Sequence, residues 1–222
     1  MQPMCTCNQP PLEFAPRSAR VERLFAWVWN LATTPLEKVY GPIKSELFAG
    51  LSGDVVEIGP GTGANFVHYP KGLTLRAIEP NPFMHPYLEK SAKESGIALG
   101  LHGGHAEAID LPDNSADAVV STLVFCSVHH PERVLAEVHR VLKPGGCFVF
   151  IEHVAAPQGT WVRAMQNVVQ PLWTKVADGC HPNRDTGRLP GFERFSVVEL
   201  DERHLPQALP LARHHVIGRA IK

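Results

Sequence analysis

The chain has 222 residues, enough for one α/β domain with a substantial core. Its formal net charge is −1 with His neutral, and its 21 Lys and Arg are scattered among 22 Asp and Glu. That balance argues against a nucleic-acid partner and against a charged, disordered tail.

The first predicted element is a helical segment over residues 19–48, broken near Pro35 and Pro42. Val21, Leu24, Phe25, Val28 and Ala32 recur at helical spacing and make one apolar face. Three readings fit that face: a helix packed on the domain, a cap over the active site, or an interfacial helix dipping Trp27 and Trp29 into lipid. The apolar stretch 24–32 follows Arg17, Arg20 and Arg23 but is far short of the roughly 20 residues of a membrane span. No A-x-A-like cleavage site follows it. No integral span is expected, and peripheral membrane contact stays open. Residues 1–49 are therefore set apart as an N-terminal helical cap, and 50–222 as the main domain.

That domain alternates strands with helices. Strand 54–58 runs into Gly59-Pro60-Gly61-Thr62-Gly63 and a helix over 63–68. Strand 74–78 ends on Glu79-Pro80-Asn81-Pro82, and a helix follows over 82–95. Strands 97–102 and 117–124, helix 131–142 and strand 147–154 come next, then a mostly helical region over 157–185. Strands at about 192–200 and 213–221 would close the sheet as an antiparallel hairpin. The pattern predicts a doubly wound, mostly parallel, seven-stranded sheet of Rossmann-like type. Ligands of such sheets sit beyond the carboxyl ends of the strands. Glu57, Glu79, His105-Ala106-Glu107, residues 122–127 and His153 all fall there, so one crevice should gather them.

Five cysteines (Cys5, Cys7, Cys126, Cys147 and Cys180) are odd in number and widely spaced, which favours a reducing, cytoplasmic compartment over a disulfide framework. No C-x-x-C occurs, the C-x-C near the terminus is a poor zinc signal, and no metal site is expected.

The glycine-rich turn carries the chemistry. Gly59, Gly61 and Ala64 fit a dinucleotide fingerprint, and a ligand-free structural turn fits as well. Glu57 decides between ligands. A carboxylate at that strand end repels a pyrophosphate but attracts an ammonium and a sulfonium. S-adenosylmethionine carries both and has no phosphate. Gly59, Gly61 and Gly63 would let the backbone approach its methionine part, Glu57 would hold its ammonium, and Glu79, helped by Asn81, would accept its ribose hydroxyls.

Three further motifs join this turn: the acid-Pro-Asn-Pro strand end at Glu79 and Pro80, Leu111-Pro112-Asp113-Asn114-Ser115-Ala116-Asp117, and Arg140-Val141-Leu142-Lys143-Pro144-Gly145-Gly146. In this order they resemble the class I S-adenosylmethionine-dependent methyltransferases over residues 50–153. Gly63-Ala64-Asn65-Phe66, residues 122–128, Glu152-His153-Val154-Ala155, Asp178-Gly179-Cys180 and the tail 217–222 resemble more narrowly the methyltransferase-like alkyl thiol S-methyltransferases. The resemblance implies that His105 and Ala106 contact adenine and that Leu123 brings backbone to the cofactor. His105 stands where the family often has Asp.

The implied acceptor is a small lipophilic molecule, a thiol before others. Phe25, Trp27, Trp29, Trp161, Met165 and Trp173 would furnish an apolar acceptor wall, or would be core. A thiol ionises near pH 8.5 and needs little help, whereas a phenol or an amine needs more. His153, Asp178 and His181 are the base candidates, each set against a plain surface or core role. The alternatives are O-, N- or C-methylation of a quinone-like, lipid or natural-product acceptor, an NAD-dependent oxidoreductase, and a non-catalytic nucleoside-binding protein.

Overall fold

The computed structural model describes residues 18–222. Cys5, Cys7 and Arg17 of the sequence reading lie outside the described residues. Seven strands form one sheet in the order β3-β2-β1-β4-β5-β7-β6. They are β1 (Asp54–Ile58), β2 (Thr74–Ile78), β3 (Ala98–His102), β4 (Ala116–Thr122), β5 (Leu142–His153), β6 (Val197–His204) and β7 (His214–Ile221). β7 runs antiparallel to both β5 and β6, and the remaining pairings are parallel. The doubly wound, seven-stranded expectation is met, hairpin included.

Among the described residues four helices accompany the sheet: α1 (Ala19–Phe48), α2 (His85–Ser95), α3 (Pro131–Val141) and α4 (Trp161–Val176). Side chains alternate across the sheet because successive strand residues point to opposite faces. Val56, Ile58, Val119, Phe148 and Phe150 pack on one face with Val134, Leu135 and Val138 of α3. Val55, Leu75, Val120 and Val149 pack on the other with Phe66 and Leu88.

The expected breaks at Pro35 and Pro42 do not occur: α1 runs unbroken through both. A proline inside a helix costs about 3 kcal/mol. Gly41, which precedes Pro42, has no Cβ to meet the proline ring. Burial of Tyr40, Lys44 and Phe48 then holds the last turns. The Tyr40 hydroxyl lies 2.8 Å from His215 Nε2, and Arg219 Nη2 donates to the Leu47 carbonyl at 2.7 Å.

Other boundaries differ from expectation as well; β5, for one, begins at Leu142 rather than 147. The helix expected over 63–68 is only a 3-10 turn, Phe66–His68, because Asn65 turns inward to bond Glu57 and Thr122. α2 begins at His85 rather than 82, since Asn81 Oδ1 accepts from Phe83 N and makes a turn there. β6 begins at Val197, five residues late. Phe192 and Phe195 leave the strand pattern to pack on Phe150 and Phe148. β6 itself is a charged edge strand with Glu199, Asp201, Glu202 and Arg203 exposed, so it lacks an apolar alternation.

The recognisable Leu111–Asp117 and Arg140–Gly146 runs lie at the end of the sheet opposite the crevice. Asp117 accepts from Asp54 N at 2.8 Å and from Lys143 Nζ at 2.8 Å, tying the starts of β1, β4 and β5. Arg140 bonds the carbonyls of Ile109 and Leu111. These motifs build the frame and touch no ligand space.

Candidate active site

Beyond the carboxyl ends of β1, β2, β4 and β5 lies a cavity of about 420 Å³, a size suited to a small-molecule site. α1 roofs it with Phe25, Trp29, Thr33, Leu36 and Tyr40. Trp29 stacks on Phe25 at 5.7 Å, and the Thr33 hydroxyl lies 2.9 Å from that of Thr62 in the glycine turn.

The turn itself is bent by three glycines with φ of +59°, +59° and +80° at Gly59, Gly61 and Gly63. Side chains are strained in that region. Close packing adds to the demand: a Cβ on Gly59 would stand 2.7 Å from Val124 Cγ2, and one on Gly61 would stand 3.0 Å from Trp29 Nε1. Gly59 and Gly61 line the cavity, whereas Gly63 packs against Ser91 and Phe66 outside it.

Two carboxylates flank the turn. Glu57 is buried and accepts from Asn65 Nδ2 and the Tyr69 hydroxyl, each at 2.7 Å. Burial raises its pKa to about 7 against these hydrogen bonds and the nearby Lys44 charge. Glu79 accepts from Gly61 N at 3.0 Å through one oxygen and from Asn81 N at 2.9 Å through the other. Burial lifts it also to about 7; the two backbone donors oppose the rise, and Asp178 and Glu57 add to it. An ionised carboxylate has about four acceptor positions, so Glu79 keeps one per oxygen for further donors.

Pro80, Asn81, His105, Ala106 and Leu123 line the same space. Leu123 holds a positive φ of 60°, a costly conformation for a branched side chain. Glu152 holds the loop that follows. It is fully buried, with its pKa raised to about 7 by burial, and accepts from Ser121 Oγ at 2.6 Å and from Val124 N and Phe125 N at 3.1 Å. Glu107 does the same for the next segment, accepting from His129 N and His130 N. The sequence alone gives neither carboxylate a role, although each stands at or beside a predicted strand end.

Of the expected bases, His153 and Asp178 line the cavity, and His181 does not. His181 is turned to the Cys126 carbonyl, which its backbone N–H meets at 2.8 Å and its Nδ1 at 3.2 Å. His153 is buried, with Nε2 3.3 Å from Cys180 Sγ and Nδ1 without a hydrogen-bond partner. The expected aromatic wall divides. Phe25, Trp29 and Trp173 face the cavity. Trp27, Trp161 and Met165 are exposed on the outer faces of α1 and α4, because each helix turns its other side to the domain.

These features fit S-adenosylmethionine: a carboxylate wall for cations, a doubly anchored Glu79 with acceptor capacity left over, and a turn only glycine can make. With Glu57, Glu79 and Asp178 all lining the cavity, a pyrophosphate would meet carboxylates there. The protein is an S-adenosylmethionine-dependent methyltransferase of the Rossmann-like class I type. Residues 56–150 match the model of the methyltransferase domain family. The thiol S-methyltransferase TMT1B of Rattus norvegicus is 40% identical over 193 residues, covering 81% of this chain and 78% of that protein. The human thiol S-methyltransferase TMT1A is 42% identical over 187 residues, covering 79% and 74%. Among solved structures, a Thermotoga maritima methyltransferase described as a possible histamine N-methyltransferase superposes with a TM-score of 0.65 at 20% identity. That alignment covers 92% of this chain and all of the other, and it speaks for the fold. The chain belongs to the thiol S-methyltransferase family.

Proposed function

We propose that this enzyme transfers a methyl group from S-adenosylmethionine to the sulfur of a small lipophilic thiol. The observation that carries the reading is identity of about 40% to named thiol S-methyltransferases over about 80% of this chain, well beyond the glycine turn alone. S-adenosylmethionine, when bound, supplies a methyl carbon already activated by a sulfonium. The chain has to bind, align and exclude water. In this reading Glu57 holds the amino group, Glu79 with Asn81 takes the ribose hydroxyls, His105 and Ala106 border the adenine, and the backbone of Leu123 closes the pocket. Gly59, Gly61 and Pro80 shape the floor, and Gly63 serves by packing the turn. Phe25, Trp29 and Trp173 give the acceptor an apolar berth. His153 and Asp178 are the two expected bases positioned on the wall to take the acceptor's proton.

The same reading makes 19–48 a cap on a methyltransferase domain of 50–222, and places the enzyme in a reducing compartment such as the cytoplasm. Cys126, Cys147 and Cys180 are free thiols, in keeping with such a compartment. No helix among the described residues is long and apolar enough to cross a membrane. Peripheral membrane contact draws support from Leu24, Trp27 and Leu31 on α1 and from Trp161, Val168 and Leu172 on α4, all exposed. Co-sedimentation with phospholipid vesicles should fall when Trp161 and Leu172 are both changed to Ser, and unchanged co-sedimentation would remove this part of the reading. The thiol assignment is tested by incubating enzyme, methyl donor and an alkyl thiol and identifying the methyl sulfide by mass spectrometry. Formation of no methyl sulfide would contradict it.

A further inference from the structure

Three soft donors converge on the acceptor side of the cavity. Cys126 comes from the loop after β4, His153 from the end of β5, and Cys180 from the loop after α4. Their two sulfurs and one ring nitrogen lie within 4.8 Å of one another, and all three residues line the cavity. We propose that this trio is a zinc site whose fourth position opens to the cavity and receives the sulfur of the acceptor thiol. The second half of the proposal rests on the thiol reading above; the first half does not.

The donor set is the first argument. Two thiolates and one imidazole, with a fourth position left open, is a known composition of catalytic zinc sites, and thiolates select zinc over hard cations. Distance is the second. Zinc–sulfur bonds of about 2.3 Å and zinc–nitrogen bonds of about 2.0 Å give tetrahedral edges of roughly 3.5–3.8 Å. Cys180 Sγ and His153 Nε2 stand 3.3 Å apart, close to one such edge. Satisfaction is the third. Cys126 and His153 are buried, yet the imidazole's hydrogen bonding is confined to the Cys180 sulfur, a weak partner. Cys126 Sγ has 3.5 Å contacts to the Leu123 carbonyl and the Ser127 hydroxyl and a sulfur–sulfur interaction with Cys180, all weak partners. A metal would give all three a strong bond. Charge is the fourth. The Arg184 guanidinium donates to the carbonyls of Phe125 and Val128, which places a cation beside Cys126 and near Cys180. The glutamate nearest the loop, Glu152, is spent on Ser121 and two backbone N–H groups and faces the frame.

The chemistry balances. Zinc binding displaces the protons of Cys126 and Cys180 to solvent, and His153 binds neutral through Nε2. The acceptor thiol loses its own proton to solvent as its sulfur joins the metal, since coordination deprotonates a thiol outright. That sulfur then forms a bond to the methyl carbon. The bond from this carbon to the donor's sulfonium breaks, and its electron pair stays on the donor sulfur as a neutral thioether. The methyl sulfide formed is a neutral, weak ligand and departs. In this arrangement His153 acts as a ligand in place of the base role given it above, and the thiol arrives already ionised.

The test begins without any acceptor. The reduced full chain is titrated with Zn2+ against a chromophoric chelator, and separately with Co2+. One metal per chain, release of two protons and a thiolate-to-cobalt charge-transfer band are expected. Cys126→Ser and Cys180→Ser should each weaken binding by at least roughly 10–100-fold, more than the loss of an outer hydrogen bond to a ligand. Both variants should keep their circular dichroism and their S-adenosylhomocysteine affinity. Adding an alkyl thiol should perturb the cobalt band. With zinc bound, the rate should level off below the free thiol's ordinary pKa of about 8.5, and chelation should move the inflection back. Absence of stoichiometric binding, or binding untouched by both substitutions, overturns the site. A cobalt spectrum indifferent to the thiol overturns the acceptor's place on it. A chain that binds metal at the trio but methylates only phenols or amines keeps the site and overturns the thiol reading instead.

Discussion

In the proposed reading, the cofactor half and the acceptor half of the cavity are built on different principles. The cofactor half is local and backbone-made. One turn after β1, bent by glycines, is clamped by Glu79 through Gly61 N and Asn81 N, and Glu57 is clamped by Asn65 and Tyr69. The acceptor half is non-local and side-chain-made. α1 roofs both halves, and Cys126, His153 and Cys180 reach the acceptor half from three separate segments. A turn that fits a fixed cofactor leaves a compact sequence signature. A pocket for a variable acceptor is assembled by the fold and leaves little.

The largest effect should come from breaking the local half. Gly61→Val places a branched side chain at φ +59° and against Trp29. Strain of about 1–2 kcal/mol is expected, lowering Tm by several degrees, while cofactor binding is lost. Calorimetric binding and circular dichroism on the same sample check this. A folded variant that still binds S-adenosylhomocysteine tightly would make the turn merely structural.

Glu79→Ala comes next. It removes a charged acceptor and orphans two backbone donors, Gly61 N and Asn81 N. A cost of about 1.5–3 kcal/mol follows, or roughly ten- to a hundred-fold in S-adenosylhomocysteine affinity. Unchanged affinity by calorimetry would detach Glu79 from the ribose.

A smaller and more graded effect should appear with pH. Glu57 and Glu79 both sit at about 7 in the fold, above their ordinary 4.5, because of burial. The raised values mean that the ligand-free fold holds extra protons between about 4.5 and 7. The resulting stabilisation is complete below about 4.5 and is lost as pH rises through 7. Binding a cationic amino group favours the ionised form, so it expels those protons. Affinity for S-adenosylmethionine should therefore fall by up to roughly tenfold per pH unit, for each proton released, as pH drops below 7. Glu57→Gln should flatten the profile. Calorimetry in buffers of different ionisation enthalpy reads the proton count directly, and a flat wild-type profile would count against both carboxylates.

The same division explains what the sequence made legible. Seven strands, their order of appearance and the strand-end residues were readable, because buried parallel strands are short apolar runs bounded by turn residues. Glu57 and Glu79 were readable because each ends such a strand. Pro35 and Pro42 misled because their cost is offset by burial of Tyr40 and Phe48, which is a tertiary effect. Phe192 and Phe195 misled because apolar residues in a packed 3-10 turn look like the start of a strand. His181 is a base candidate by residue type alone, without the strand-end position of His153, and the loop turns it to the Cys126 carbonyl. Cys126, His153 and Cys180 lie too far apart in the chain for spacing to join them, and their meeting needs the whole sheet.

The most direct test of the central claim is a matched comparison of acceptors. An alkyl thiol, a phenol and an amine of similar size and hydrophobicity are offered separately with radiolabelled S-adenosylmethionine, and kcat/KM is measured for each. The thiol should be the best of the three, with its rate rising with pH as the thiol ionises. A thiol that proves the worst acceptor would contradict the account and leave a small-molecule methyltransferase with a different target atom.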